Sequence, residues 1–267
     1  MTRLLFCGAG KMATAIAAGA IAHHLLSPEE VAAFDPAPQA REAFAQATGC
    51  PSVHSQATPE LMAWADVLVL AVKPQSAPEA FAALPPPKPG ALILSICAGL
   101  SLAKLRQWFG DVRMVRVMPN TPLMAGVGAS AYALSRPEDE EADAFAARLL
   151  GALGKAWRVP EEQLDAVTAL SGSGPAYFFA FIEALRQGGE ALGLPAELAQ
   201  ELAIQTMAGA TAMLQQGKGT PEELRIAVTS KGGTTAAALK VMEDQGFPRM
   251  VQNLLRAARD RSQELGR

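Results

Sequence analysis

Cysteine, histidine, aromatic and charged residues are all scarce in this chain, and each scarcity removes a class of function. Its 267 residues include only three cysteines, Cys7, Cys50 and Cys97. They are far apart, odd in number and without C-x-x-C spacing, which excludes a disulfide framework and a zinc site and fits a reducing cytoplasm. Charged residues make up 18% of the chain and the formal net charge is −3. With no basic stripe, and with two Tyr and three Trp scattered along the chain, a nucleic-acid groove is excluded as well. Long apolar runs are missing too. The stretch from Met12 to Ala22 is too short to span a bilayer and follows Gly8-Ala9-Gly10 instead of a basic leader, so it reads as a buried helix. The three histidines, His23, His24 and His54, all fall in the first quarter of the chain, and none suits catalysis.

What is present is a change of pattern near residue 160. Before it, apolar runs at Arg3 to Cys7, Val31 to Phe34, Val67 to Val72, Ala91 to Ile96 and Val112 to Met118 read as buried strands. Segments long enough for crossover helices separate them, which predicts a parallel, doubly wound sheet. Pro85-Pro86-Pro87-Lys88-Pro89-Gly90 reads as a stiff surface turn without a function of its own. After Val159 helical patterns follow one another, at about 163–170, 175–192, 195–215, 221–228, 234–245 and 248–265. Several open on Pro or a hydroxyl residue and close near Gly. The expected division is therefore a dinucleotide-binding domain over 1–160 and an all-helical domain over 161–267. The helices around Ala203 to Leu214 are apolar on more than one face, which suggests an interface between copies of the chain.

Gly8-Ala9-Gly10-Lys11-Met12-Ala13 is a G-x-G-x-x-A fingerprint between the first strand and the first helix. The first Gly makes the tight turn, the second admits a pyrophosphate, and Ala13 permits close helix packing. Asp35 ends the second strand, where an acidic residue accepts from the ribose hydroxyls and repels a 2′-phosphate, a pattern that favours NADH. Its distance from Gly8 exceeds the usual ~20 residues, and Pro36 bends the chain there. Ala71-Val72-Lys73-Pro74 ends a further strand on the ligand-binding edge, where Lys73 lines the cofactor or is a surface lysine. Cys97-Ala98-Gly99 closes the next, leaving room for a nicotinamide ribose. Asn120 and Thr121, in Met118-Pro119-Asn120-Thr121-Pro122, either orient the nicotinamide or cap a turn.

The second chemical motif is Val228-Thr229-Ser230-Lys231-Gly232-Gly233-Thr234-Thr235, which runs into the helix-forming Ala236 to Glu243. Paired glycines, capping hydroxyls and the positive end of a helix make either an anion site for a carboxylate or phosphate, or an ordinary capped turn. A base for alcohol oxidation is not evident. The helix from Ala176 to Leu192 contains no Lys, where a β-hydroxyacid dehydrogenase is expected to carry one. Hydride addition to an already protonated carbon–nitrogen double bond needs no such group.

Asp165-Ala166-Val167-Thr168-Ala169-Leu170-Ser171-Gly172-Ser173-Gly174-Pro175-Ala176-Tyr177, followed by the Val228 to Thr235 motif, closely resembles pyrroline-5-carboxylate reductase. The fingerprint at Gly8, Ala71 to Pro74 and Met118 to Pro122 agree in order and spacing, so the resemblance covers essentially the whole chain. It implies an N-terminal Rossmann domain followed by an all-α, 6-phosphogluconate-dehydrogenase-like dimerisation domain. It also implies a homodimer that can build decamers, and reduction of 1-pyrroline-5-carboxylate to L-proline by NADPH or NADH. Carried over residue by residue, the Gly233 amide with Thr234 and Thr235 holds the substrate carboxylate, and the Thr235 hydroxyl reaches the ring nitrogen. Val228, Ser230, Thr168 and Glu161 are expected near the substrate, and Thr58 near the adenosine. Ala227 stands where relatives often carry a polar residue. Two other functions stay open on these residues: another imine or keto-acid reductase on the same scaffold, and a non-catalytic dinucleotide sensor.

Overall fold

The structure, a computed structural model, describes residues 2–266. Eight strands form one sheet: β1 (Leu4–Cys7), β2 (Val31–Phe34), β3 (Ser52–His54), β4 (Val67–Leu70), β5 (Leu92–Ser95), β6 (Arg113–Met118), β7 (Gly128–Leu134) and β8 (Gly154–Arg158). Their spatial order is β3-β2-β1-β4-β5-β6-β7-β8. Between them run α1 (Lys11–Ala22), α2 (Pro38–Thr48), α3 (Pro59–Trp64), α4 (Ala77–Ala82), α5 (Leu102–Phe109) and α6 (Glu140–Gly151). The central strands are apolar on both faces because both are covered. Leu4, Phe6, Val31, Val69 and Leu94 point to one side, where they meet Ala13, Ile16, Phe44 and Leu149. The intervening Leu5, Ala32, Leu68, Leu70 and Ile93 point to the other and pack with Met62, Phe81 and Leu105.

The sheet is larger than the five apolar runs foretell, and one of its pairings runs the other way. All neighbours are parallel except β6 and β7, where Val115 pairs with Leu134 and Met118 with Ala131 in antiparallel register. A 3₁₀ turn over Thr121–Ala125 and Gly126, at φ 72°, bring the chain back on itself there. The strands that the apolar-run criterion passes over are β3, β7 and β8. They are a three-residue edge strand, a run of small residues, and an edge strand exposing Lys155, Trp157 and Arg158.

Beyond the sheet come α7 (Leu164–Val167), a π-helical turn over Thr168–Gly172, and then α8 (Gly174–Ala191), α9 (Ala196–Gln215), α10 (Pro221–Ala227), α11 (Thr234–Asp244) and α12 (Phe247–Leu265). The helix expected over 163–170 thus changes pitch at Thr168, marked by Ser173 N donating to Thr168 O at 2.8 Å. The start of α10 is fixed by a capping box. Thr220 Oγ1 accepts from Glu223 N, and the Glu223 carboxylate accepts from Thr220 N. Two compact units result: the chain through Ser173 together with the stretch from Ala257 onward, and Gly174–Arg256. Within the helical unit α8 and α9 approach closely, a Cβ on Gly189 coming within 2.9 Å of the Ala199 methyl. Phe178, Phe179, Leu198 and Leu202 on these helices, and Leu192 just past α8, remain exposed. Among the described residues, no helix is long and apolar enough to cross a membrane.

Candidate active site

Parallel pairing brings the carboxyl ends of β1, β2, β4, β5 and β6 to one edge, and with them most of the cofactor residues expected from sequence. At the end of β1 the chain turns at Gly8, whose φ is 99° and whose N–H donates to Phe34 O at 2.9 Å. A Cβ at Gly8 would lie 3.0–3.2 Å from the Ala71 and Val72 backbone, so only glycine fits between β1 and β4. Gly10 then caps α1 without a side-chain bond, and the first turn holds no acidic residue. The amides of Lys11, Met12 and Ala13 are left without intrahelical acceptors, as an anion site requires.

Ala9 N donates to Asp35 Oδ2 at 2.9 Å, and Ala37 N donates to Asp35 Oδ1 at 2.9 Å. Each carboxylate oxygen of Asp35 is therefore engaged by the backbone, and the side chain ties the loop after β2 to the glycine turn. Next along the edge, Ala71 and Val72 are half-buried while Lys73 is exposed ahead of Pro74. The Cys97 thiol donates to Leu70 O at 3.4 Å and to Val72 O at 3.3 Å, locking the loop of Cys97 and Ala98 against the end of β4. Burial raises the Cys97 thiol to about 11, so it is a neutral packing group and not a nucleophile. Burial also raises Cys7 and Cys50 above the ordinary thiol range. Thr58 caps α3, accepting from Leu61 N at 3.3 Å.

Asn120 is nearly buried and its amide is fully used. Oδ1 accepts from Ala129 N at 2.8 Å, and Nδ2 donates to Ser171 O and Ser171 Oγ, both at 3.3 Å. It clamps the turn after β6 to β7 and to the π-helical turn, while making no side-chain cap bond to the 3₁₀ turn that it precedes. Glu161 belongs to a cluster that sequence reasoning missed. Arg116, only 6% exposed in the middle of β6, donates to Glu161 Oε1 and to Asp165 Oδ1, both at 3.2 Å. Glu161 Oε1 also accepts from Leu102 N at 2.6 Å, and Asp165 Oδ1 from Ser262 Oγ at 2.9 Å. The signal was legible in principle: an arginine inside an apolar strand demands carboxylates, and Glu161 and Asp165 share one face at i and i+4. The carboxyl end of α12 lies beside this cluster. Ser262 O and Leu265 Cβ sit 3.0 Å from where a Cβ on Gly99 would be, and Gly266 packs against the Gly99 carbonyl. Thr168 is buried, its hydroxyl donating to Leu164 O at 2.8 Å.

In the helical unit the second motif forms the uncapped start of α11. Gly232 takes a φ of 74°, and a side chain at Gly233, the N-cap, would collide with Ser230 Oγ. Gly233 N donates to Ser230 O at 3.0 Å, and Ala237 N to Gly233 O at 3.2 Å. The first intrahelical bond therefore begins at Ala237. The amides of Thr234, Thr235 and Ala236 precede it without helical acceptors, and no side chain caps them. Ser230 and Thr234 are exposed, Thr235 is half-buried, and Val228 is exposed where α10 ends. Thr229, by contrast, turns its hydroxyl back to Arg225 O at 2.6 Å.

Comparison with known proteins gives a family for this arrangement. Residues 161–265 match the model described as pyrroline-5-carboxylate reductase dimerisation, and residues 3–99 match that described as NADP oxidoreductase coenzyme F420-dependent. The chain is 43% identical over 267 residues to pyrroline-5-carboxylate reductase of Pseudomonas aeruginosa, covering 98% of this chain and 96% of that protein. It is 40% identical over 261 residues to the Glycine max enzyme, covering 97% and 94%. Among solved structures, Plasmodium falciparum pyrroline carboxylate reductase with NADP bound superposes with a TM-score of 0.88 at 29% identity, covering 100% of this chain and 98% of that one.

Proposed function

The chain belongs to the pyrroline-5-carboxylate reductase family, and from that premise we propose that it reduces 1-pyrroline-5-carboxylate to L-proline with NAD(P)H, the closing step of proline biosynthesis. The observation that carries this reading is the uncapped start of α11, where three free amides and two threonine hydroxyls face a helix-dipole field that favours a carboxylate. The bound reduced nicotinamide supplies the hydride. The amides of the first turn of α1 hold the pyrophosphate, with Gly8 and Gly10 keeping side chains out of its way and Ala9 positioned by Asp35. Ala71 to Pro74 and Cys97 with Ala98 line the cofactor, and Thr58 lies toward the adenosine. Asn120 acts through the turn it clamps.

Thr234, Thr235 and the Gly233 segment hold the substrate carboxylate, and the Thr235 hydroxyl orients the ring nitrogen so that carbon 5 is presented to the hydride. A threonine hydroxyl does not ionise near neutral pH, and no His or Cys follows Cys97. The substrate therefore arrives protonated on nitrogen or takes the proton from water, and Thr235 works by hydrogen bonding. Val228, Ser230, Thr168 and Glu161 shape the surroundings of the substrate. The assembly is a homodimer formed through the apolar faces of α8 and α9, able to build decamers, and the compartment is the cytoplasm.

Oxidation of NADPH and of NADH is followed with pyrroline-5-carboxylate and, in parallel, with acyclic 2-imino and 2-keto acids; a preference for an acyclic substrate would replace the reading. Thr235→Ala removes a hydrogen bond to a charged group, worth roughly 1.5–3 kcal/mol, or about ten- to a hundred-and-fifty-fold in kcat/KM. Cofactor affinity should stay near wild type and Thr235→Ser should keep most activity. Equal activity of the two variants would reduce the motif to a structural cap.

A further inference from the structure

The loop after β2, Asp35-Pro36-Ala37-Pro38, lies on the edge where a doubly wound sheet receives the adenosine half of a dinucleotide. Its backbone donors are all spoken for. Pro36 and Pro38 have no N–H. Asp35 N donates to His54 O at 3.0 Å, and Ala37 N to Asp35 Oδ1 at 2.9 Å. The Asp35 carboxylate is turned inward as well, since its other oxygen accepts from Ala9 N. A carboxylate held by amides on both oxygens is poorly placed to grip a ribose diol, and those dipoles offset part of its repulsion toward a phosphate.

Arg41, in the first half of α2, is the exception. Its Nη1 donates to Asp35 O at 2.8 Å and to Pro36 O at 2.9 Å, which pins the guanidinium plane against the loop. The opposite edge, Nε and Nη2, has no protein partner among the described residues, and the side chain is half-buried. A fixed guanidinium with one open two-donor edge matches phosphate oxygens better than hydroxyls.

We infer that Arg41 reads the 2′-phosphate of NADPH and that Asp35 is a positioning residue that does not discriminate between the two cofactors. This rests on the dinucleotide reading above and reverses the NADH preference that Asp35 suggests in the sequence. The chain then favours NADPH. Selectivity lies six residues downstream of the acidic position, on a side chain held by loop carbonyls.

The test is equilibrium binding of 2′,5′-ADP, 5′-AMP, NADPH and NADH to the full chain by calorimetry and nicotinamide fluorescence. Wild type should bind 2′,5′-ADP over 5′-AMP by roughly ten- to a hundredfold, the scale of hydrogen bonds to a charged group, and the gap should narrow with salt. Arg41→Gln keeps a donor for the loop carbonyls and removes the charge; it should abolish most of the gap while 5′-AMP and NADH bind as before. Arg41→Lys should retain part of it. Asp35→Asn should weaken all four ligands alike. The inference is overturned if Arg41→Gln leaves the gap intact, or if Asp35→Asn alone shifts the balance toward 2′,5′-ADP. Wild type binding NADH and 5′-AMP normally with no gain from the phosphate overturns this inference alone. Binding of none of the four overturns the dinucleotide reading with it.

Discussion

In the sheet unit Leu4, Phe6, Ile16, Leu94 and Val115 have no exposed surface, whereas in the helical unit Phe178, Phe179 and Leu192 stand 60%, 61% and 88% open. The same kind of residue is thus treated in opposite ways within one chain. The sheet has helices on both faces and closes its own core. Helices α8 and α9 bury little more than Gly174, Ala199 and Ala203 by themselves and leave bulky apolar side chains outward. A face of that kind is stable in water when another chain covers it. The contrast separates a unit that closes its own core from one whose apolar face calls for a partner.

The largest expected effect breaks the open face. Phe179→Glu places a charge where the proposed partner helix packs, costing roughly 2 kcal/mol or more at each of two symmetric sites. That is about a thousandfold in the dimer constant. Light scattering should show monomer at low micromolar concentration, with NAD(P)H binding by the sheet unit largely kept. A variant that stays a tight dimer would place the interface elsewhere.

A middle-sized effect tests the closed unit at Arg116, its one buried cation among the described residues. Arg116→Met leaves the half-buried Glu161 and Asp165 carboxylates without their counter-charge, and losing hydrogen bonds to a charged group costs about 1.5–3 kcal/mol. Adding Glu161→Gln and Asp165→Asn should recover most of that loss in urea denaturation. A single variant within 0.5 kcal/mol of wild type, the order of a surface substitution, would show the cluster idle.

The smallest effect is alkaline. Burial lifts Cys97 from 9.0 to about 11, so its stabilising contribution is complete below pH 9 and is lost as pH rises toward 11, where the unfolded chain already carries thiolate. Denaturation midpoints measured between pH 8 and 11 should fall less steeply for Cys97→Ala than for wild type. Parallel slopes would remove the thiol from the account. Phe179→Glu should leave this dependence unchanged, because Cys97 lies in the closed unit.

What the sequence made legible follows the same division. Strands β1, β2, β4, β5 and β6 announce themselves because burial on both faces demands unbroken apolar runs. By contrast β3 is three residues long, β7 is Gly-Ala-Ser-Ala-Tyr-Ala-Leu with no β-branched residue, and β8 is half polar at an edge, so none carries that signature. The glycine turn and the start of α11 were readable because their chemistry lies in the backbone, which consecutive residues specify. Asp35, Asn120 and Glu161 were harder. Each side chain bonds to a group from 9 to 59 residues away, and a pairing of that kind depends on the completed fold.

The packing of Gly266 against the Gly99 carbonyl makes that glycine a probe of the cofactor edge. Bulk added at Gly266 would meet the loop that follows β5, at the cofactor edge. A Gly266→Ala variant, its ligand affinities set beside those of wild type, reports how closely the end of α12 presses on that loop.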